Sequence, residues 1–237
     1  MVRKLCGYIF LILCNMQIRT VLITSSLLIT SLIISNSAIA QNRGTPGKFD
    51  FYVLTLSWSP DYCATNQKPD PNQCNAGKKL GFVLHGLWPQ YQKGYPASCS
   101  TEKLTPATKQ KFPGLYPSAN LYNHEWQKHG TCSGKTPQGY LALSKKLKDS
   151  VAIPPAYNRP AKPFRTTVQG LKSTFISANS EFTANGIAPY CSDSGRFLQE
   201  VFFCYARDGK AGICSEDILK RSRKSCGQAD FLVRSVR

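Results

Sequence analysis

Residues 124–132 read His124-Glu125-Trp126-Gln127-Lys128-His129-Gly130-Thr131-Cys132. The pattern from Asn120 to His129 predicts a helix that ends at Gly130. At about 100° per residue, one side of that helix carries all four ionisable side chains of the stretch: His124, Glu125, Lys128 and His129. Trp126 and Gln127 point elsewhere. The spacing therefore predicts an acid/base cluster, with a solvated charged face as the alternative.

A second segment reads Leu84-His85-Gly86-Leu87-Trp88-Pro89, and the two segments together contain all three histidines of the chain. Imidazole is the side chain best suited to moving protons near neutral pH. A lone histidine after an apolar strand is often a satisfied core group, which is the alternative for His85. We expect the chain to turn at Gly86 and Pro89. The turn would present His85 and Trp88 at a surface cleft.

Zinc binding is another possible use of such histidines. Zinc proteases place two histidines one helical turn apart, in the pattern H-E-x-x-H. Here His124 and His129 are five residues apart, so their side chains diverge by about 140°. Lys128 would also place a cation beside the metal. We therefore expect no metal and no cofactor.

The N-terminal segment, residues 1–40, is predicted to be a signal peptide, and residues 41–237 form the predicted domain. Val21 to Ser35 is an apolar run shorter than the ~20 residues of a spanning helix. Ala38 to Ala40 has the small-x-small pattern of a cleavage site. A membrane anchor is the alternative. Met16 begins a compact signal of its own, and we expect synthesis to start there.

Charge and cysteine content limit the class of protein. The formal net charge is +17, and removing the three cations of the signal segment leaves about +14. Such a charge attracts polyanions, including nucleic acid, although a merely soluble basic protein would have it too. Eight cysteines follow residue 40, with no Cys-x-x-Cys pair. Export to an oxidising compartment favours disulfides over zinc, but counting leaves their connectivity open.

Hydrophobic patterning predicts a mixture of helices and strands. Strands are predicted over Lys48–Trp58, Leu80–Leu84 and Phe197–Tyr205. Helices are predicted over Asn120–His129, Gln138–Ser150 and Thr166–Ala178. The polar stretch 59–77 is interpreted as a loop stapled through Cys63 and Cys74. This order fits a single α+β domain better than a regular βαβ array.

Two histidines without a metal can catalyse phosphoryl transfer if the nucleophile is already present, and RNA supplies it. A neutral imidazole takes the proton of the ribose 2′-OH, which attacks the adjacent phosphorus. A protonated imidazole donates to the departing 5′-oxygen. A lysine stabilises the charge on the phosphorane. DNA lacks the 2′-OH, so we expect single-stranded RNA as the partner and no cleavage of DNA.

The two histidine segments resemble the signatures of the ribonuclease T2 family, whose members are secreted or vacuolar, metal-independent endoribonucleases. Phe49–Leu54 and Glu200–Cys204 are similar to further stretches of that family, and the resemblance spans most of Lys48 to Cys226. It implies an α+β fold with helices flanking an antiparallel sheet. It also implies cleavage through a 2′,3′-cyclic phosphate, followed by slow hydrolysis to a 3′-phosphate.

The resemblance implies a role for each ionisable residue of the cluster. His129 is similar to the general base of the family, and His85 to the general acid. His124 corresponds to the histidine that holds the phosphate. Glu125 and Lys128 correspond to the pair that supports the transition state.

The resemblance also implies four disulfides: Cys63–Cys74, Cys99–Cys132, Cys191–Cys226 and Cys204–Cys214. Trp88 is expected to stack a base, assisted by Tyr91 or Tyr95, with ordinary packing as the alternative. Gln90 stands where many relatives carry an acidic or Asn side chain, and Ser57 where plant relatives often carry Gln. We therefore expect low base specificity.

The expected product is a monomer exported by its signal peptide to the periplasm or the extracellular space, or to a vacuole in a eukaryote. No stable membrane association is expected after signal cleavage. A basic binding or toxic factor without catalysis is the alternative from another class. The complete set of three histidines argues against it, because a pure binder needs none of them.

Overall fold

A six-stranded sheet forms the framework of the computed structural model, which describes residues 44–236. Its strands are β1 (Phe51–Trp58), β2 (Phe82–Gln90), β3 (Phe164–Thr166), β4 (Ile187–Ser192), β5 (Phe197–Tyr205) and β6 (Phe231–Val233). The order across the sheet is β2-β1-β5-β6-β3, and β4 also pairs with β5. All pairings are antiparallel except β5 with β6. The predicted signal segment, with its possible start at Met16, lies outside the described residues.

Seven α-helices accompany the sheet within residues 44–236, and they confirm the α+β class. They are α1 (Ser59–Thr65), α2 (Pro71–Cys74), α3 (Pro106–Gln110), α4 (Ala119–Lys128), α5 (Pro137–Ser150), α6 (Val168–Ala178) and α7 (Glu216–Ser225). The three predicted helices correspond to α4, α5 and α6, each shifted by no more than two residues. N-cap hydroxyls of Ser118, Thr136 and Thr167 define their starts. None of the described helices is long and apolar enough to cross a membrane.

The second strand differs most from its prediction. β2 continues through Gly86 and Pro89 to Gln90 instead of turning after Leu84, so the expected turn was wrong. Proline lacks a backbone N–H, but β2 is an edge strand, where a missing donor is tolerated. The first strand begins at Phe51, three residues later than predicted.

The stretch 59–77 is not the simple loop that its Pro and Asn content suggested. It holds α1 and α2, each with a proline in its first turn. Proline has no N–H to lose there, and its fixed φ suits a helix start. The Asp70 side chain accepts a hydrogen bond from the backbone N–H of Asn72 and caps α2.

The two faces of β1 pack into two separate cores. Tyr52, Leu54, Leu56 and Trp58 point into the larger core, which also receives Trp126 of α4 and Phe175 of α6. Phe51 and Val53 point the other way, against Ile218 of α7. The alternation follows from the two-residue period of a strand. Beyond Val53, the second face of β1 continues through Thr55 to Ser57.

Four disulfides join cysteines that are between 10 and 35 residues apart along the chain. They join Cys63 to Cys74, Cys99 to Cys132, Cys191 to Cys226 and Cys204 to Cys214. This is the pairing that the family resemblance implies. The Cys99–Cys132 bond ties the loop after β2 to the turn that follows α4, and it therefore links the two histidine segments.

Candidate active site

A β-bulge directs His85 out of the core. Thr55 and Leu56, consecutive in β1, pair with Gly86 and Leu84 of β2, so His85 is the additional residue. In a regular strand, residues 85 and 88 would lie on opposite faces. The bulge places them on the same face, and the rings of His85 and Trp88 meet edge to face at 5.0 Å.

Helix α4 brings Glu125 against this face of β2. The carboxylate is fully buried, and its Oε2 accepts a hydrogen bond from Trp88 Nε1 at 2.7 Å. Its Oε1 lies 3.9 Å from His85 Nε2 and 4.0 Å from His124 Nε2. The buried carboxylate rules out the solvated charged face considered from the sequence. Trp126, as predicted, points away, and its Nε1 donates to the Glu102 carbonyl.

His129 ends α4 and is itself buried. Its backbone N–H donates to the Glu125 carbonyl at 3.0 Å, and its φ of −119° leaves the helical range. The imidazole stacks on Trp88 with ring centroids 5.1 Å apart. The ring of Tyr95 also faces the imidazole of His129, with centroids 5.8 Å apart. Lys128 Nζ lies 5.9 Å from the centroid of the tyrosine ring. The indole of Trp88 therefore lies between the imidazoles of His85 and His129.

One further site residue, Glu200 of β5, was not predicted as such from the sequence. Its Oε1 lies 2.6 Å from His85 Nδ1 and accepts a hydrogen bond from Ser57 Oγ at 2.7 Å. Glu200 is separated from His85 by 115 positions. Its place as the one charged residue of a mainly apolar strand, after Phe197, Leu198 and Gln199, was the one available signal.

The surroundings drive the pKa values of the three histidines apart. Burial, together with the positive charges of Lys128 and the other two histidines, holds the pKa of His129 well below its usual range. Burial and Lys128 also lower the pKa of His124. Burial acts in the same direction on His85, but the hydrogen bond and charge of Glu200, with the charge of Glu125, outweigh it and raise the pKa.

Burial raises the pKa of Glu125 to about 7, although His85, the Trp88 hydrogen bond and Lys128 oppose the shift. Groups that share a site and are pushed apart in pKa are suited to separate acid and base roles at one pH. The cluster can therefore hold one neutral and one protonated imidazole together.

The residues predicted to bind bases are placed unequally. Trp88 is half-buried between the two histidines, and Tyr95 is 47% exposed beside His129. Tyr91 is half-buried and packs against the larger core. Gln90 is buried, and its amide donates to the carbonyl of its neighbour Pro89. Gln90 therefore presents no polar group to a ligand in this arrangement.

An open cleft of about 930 Å³ adjoins the histidines. Its lining includes two of the three histidines, His85 and His124, together with Glu200, Tyr62 and Asn72. Among the described residues, no group of three or more His, Cys, Asp or Glu side chains is arranged to hold a metal ion.

Comparison with known proteins defines the class. The profile of the Ribonuclease T2 family matches residues 49–214. A ribonuclease of Aeromonas hydrophila is 42% identical over 216 residues, which cover 85% of this chain and 93% of that protein. Ribonuclease 1 of Arabidopsis thaliana is 35% identical over 130 residues, covering 47% of this chain and 54% of that protein.

The fold agrees with that of solved relatives. A crystal structure of a mutant of RNase MC1 in complex with 5′-UMP superposes with a TM-score of 0.60 at 22% identity, covering 77% of this chain and 97% of that one. The chain belongs to the ribonuclease T2 family. It is a ribonuclease of that type, and RNA is its substrate.

Gly86→Ala tests the approach of α4 to β2. A Cβ at this position would lie 2.0 Å from Glu125 Oε2 and 2.2 Å from Trp88 Nε1, so the carboxylate must move and its hydrogen bond must break. We expect a loss of about 1–3 kcal/mol in the free energy of unfolding and at least a tenfold loss of ribonuclease activity. Denaturant unfolding and an RNA-cleavage assay measure the two effects.

Gly227→Ala is the matched control, because its Cβ would meet nothing nearer than 3.4 Å. Equal stability and activity of Gly86→Ala and this control would contradict the account of the contact.

Proposed function

We propose that this chain is an endoribonuclease that cleaves single-stranded RNA by transesterification through its 2′-OH. The observation that carries the proposal is the placement of two imidazoles on either side of Trp88 in unlike surroundings: His129 is buried, and His85 is in hydrogen-bond contact with Glu200. Burial lowers the pKa of His129 and the Glu200 carboxylate raises that of His85, so the neutral form of one ring and the protonated form of the other are favoured. These are the two forms that a concerted base and acid require. Membership of the ribonuclease T2 family supports the assignment.

In the proposed cleavage step, His129 accepts the proton of the 2′-OH. The 2′-oxygen forms a bond to the adjacent phosphorus, and the bond from phosphorus to the 5′-oxygen breaks. His85 Nε2 gives its proton to the departing 5′-oxygen. The products are a 2′,3′-cyclic phosphate and a free 5′-hydroxyl.

Hydrolysis to the 3′-phosphate reverses the two roles. Neutral His85 takes a proton from water, and the water oxygen forms a bond to phosphorus. The bond from phosphorus to the 2′-oxygen breaks, and protonated His129 gives its proton to that oxygen. His124, an exposed side chain in the lining of the cleft, holds the phosphate. Lys128 and Glu125 support the charged transition state, and no cofactor takes part.

The first test compares a mixed-sequence RNA, the matching DNA and the 2′-O-methyl RNA in EDTA at pH 5.5. We expect only the RNA to be cut, with 2′,3′-cyclic ends.

His85→Ala and His129→Ala should each lose about 10²- to 10⁴-fold in kcat, the usual contribution of a positioned acid or base. Lys128→Ala should lose activity, whereas Lys145→Ala, a surface lysine paired with Asp149, should not. Cleavage of 2′-O-methyl RNA would contradict the mechanism.

The same assay across pH checks the two protonation states. The rate should fall as pH drops through the lowered pKa of His129, because the base becomes protonated. It should also fall as pH rises through the raised pKa of His85, because the acid loses its proton. The optimum then lies on the acidic side of neutral. A flat profile from pH 4 to pH 9 would exclude this pair.

Base specificity is proposed to be low. The buried amide of Gln90 cannot read a base edge, and Trp88 and Tyr95 offer aromatic faces, which stack on any base. Digestion of four homopolymers side by side should give kcat/KM values within about tenfold of one another. A larger preference for one base would show that another residue reads it.

The protein is further proposed to act as an exported monomer, in the periplasm or the extracellular space, or in a vacuole in a eukaryote, free of the membrane after signal cleavage. Four disulfides in residues 44–236 support an oxidising compartment. N-terminal sequencing of the protein from cell fractions should find Gln41 first, outside the cytoplasm. An uncleaved cytoplasmic product would refute export.

A further inference from the structure

Glu200 belongs to a row of side chains that crosses three strands. It lies directly opposite Ser57 in the pairing of β5 with β1, and Ser57 in turn lies opposite Val83 of β2. His85 follows Val83 by two residues, at the bulge. One carboxylate oxygen, Oε1, contacts both Ser57 Oγ and His85 Nδ1. The contact is thus built into the register of the sheet.

The carboxylate has a single charged partner. Only 14% of the Glu200 side chain is exposed, and among the described residues the one cationic group within 4.0 Å of it is the His85 ring. A carboxylate removed from water is costly unless it is paired and hydrogen-bonded. The charge of Glu200 is paired when the His85 ring is protonated on both Nδ1 and Nε2 and is therefore positive. Ser57 Oγ donates the second hydrogen bond to the carboxylate.

We propose that Glu200, held by its hydrogen bond from Ser57, is the positioning residue of His85. It fixes a proton on Nδ1 of the ring, so that Nε2 faces the substrate. Nε2 then carries the proton that the leaving group receives. The proposal rests on the proposed function, because it assigns Glu200 to the acid of that reaction. Glu200 acts on His85 through a hydrogen bond and through its charge, and it takes no proton at any step.

The proton balance is the same before and after each turnover. His85 Nε2 loses its proton to the 5′-oxygen, and the neutral ring keeps its Nδ1 proton on Glu200. When water attacks the cyclic phosphate, Nε2 regains a proton. An aspartate has the corresponding part in hydrolases with a Ser-His-Asp triad, where it orients the imidazole and stabilises its charged form.

Several charged groups face His85, and they act in opposite directions. Glu200 approaches from β5 and Glu125 from α4, and both favour the protonated ring. Lys128 and His124, also on α4, disfavour it. Of the two carboxylates, Glu200 alone is in hydrogen-bond contact with the ring, at 2.6 Å against 3.9 Å for Glu125. Removal of its charge should therefore have the larger effect.

Glu200→Gln keeps an oxygen that can accept from Nδ1 but removes the charge. The test compares RNA with uridine 3′-(4-nitrophenyl phosphate), whose nitrophenolate departs without a proton. On RNA, we expect Glu200→Gln to lose about 10- to 100-fold in kcat, which is part of the rate that a general acid contributes. On the nitrophenyl ester, we expect kcat to fall by less than about threefold. The basic limb of the pH profile on RNA should move to lower pH.

Ser57→Ala should show the same selective loss in a weaker form, because it removes one hydrogen bond to Glu200. Glu216→Gln, a surface carboxylate paired with Arg223, is the charge-matched control and should leave both substrates and the pH profile unchanged. Near-UV circular dichroism and thermal unfolding establish that each variant is folded.

Equal losses on both substrates, or a basic limb that stays in place, would overturn the proposal and leave Glu200 a structural residue. His85→Ala separates this failure from that of the proposed function. It should lose activity on RNA and retain it on the nitrophenyl ester. If His85→Ala loses both equally, the assignment of His85 as the acid fails, and the role of Glu200 fails with it.

Discussion

The site depends on how closely the Glu125 carboxylate of α4 approaches the backbone of β2 at Gly86. No side chain fits between them, and Trp88 Nε1 closes the contact with a hydrogen bond. The contact sets the distance of α4 from the sheet, and with it the positions of His124 and His129 relative to His85. It also buries a carboxylate within 4.0 Å of the His85 and His124 rings, and its charge helps to raise the pKa of His85.

Burial and charge then act differently on side chains only a few ångströms apart. His129 is enclosed by Trp88 and Tyr95 and has no carboxylate in hydrogen-bond contact among the described residues, so the enclosed ring is held neutral. His85 is less enclosed and rests on Glu200, so its charged form is favoured. The two side chains are identical, so the proposed difference in their chemical roles rests on the difference in their neighbours.

Local signals in the sequence predicted much of this arrangement. The helical spacing of residues 124–129 indicated that the ionisable groups share a side, and the bounds of β5 agree with its apolar run. Non-local features could not be predicted in this way. The bulge at His85 depends on the register between β1 and β2, and the contact of Glu200 with His85 depends on the order of three strands. The inward amide of Gln90 is likewise a consequence of packing.

The most direct measurement is an NMR titration of the three histidine rings in the folded protein, with ¹³C and ¹⁵N labels. Only three imidazoles are present, so single variants assign them. We expect the lowest pKa for His129, a lowered value for His124 and the highest for His85, with His85 carrying its remaining proton on Nδ1 when neutral. A pKa of His129 equal to or above that of His85 would contradict the division into base and acid.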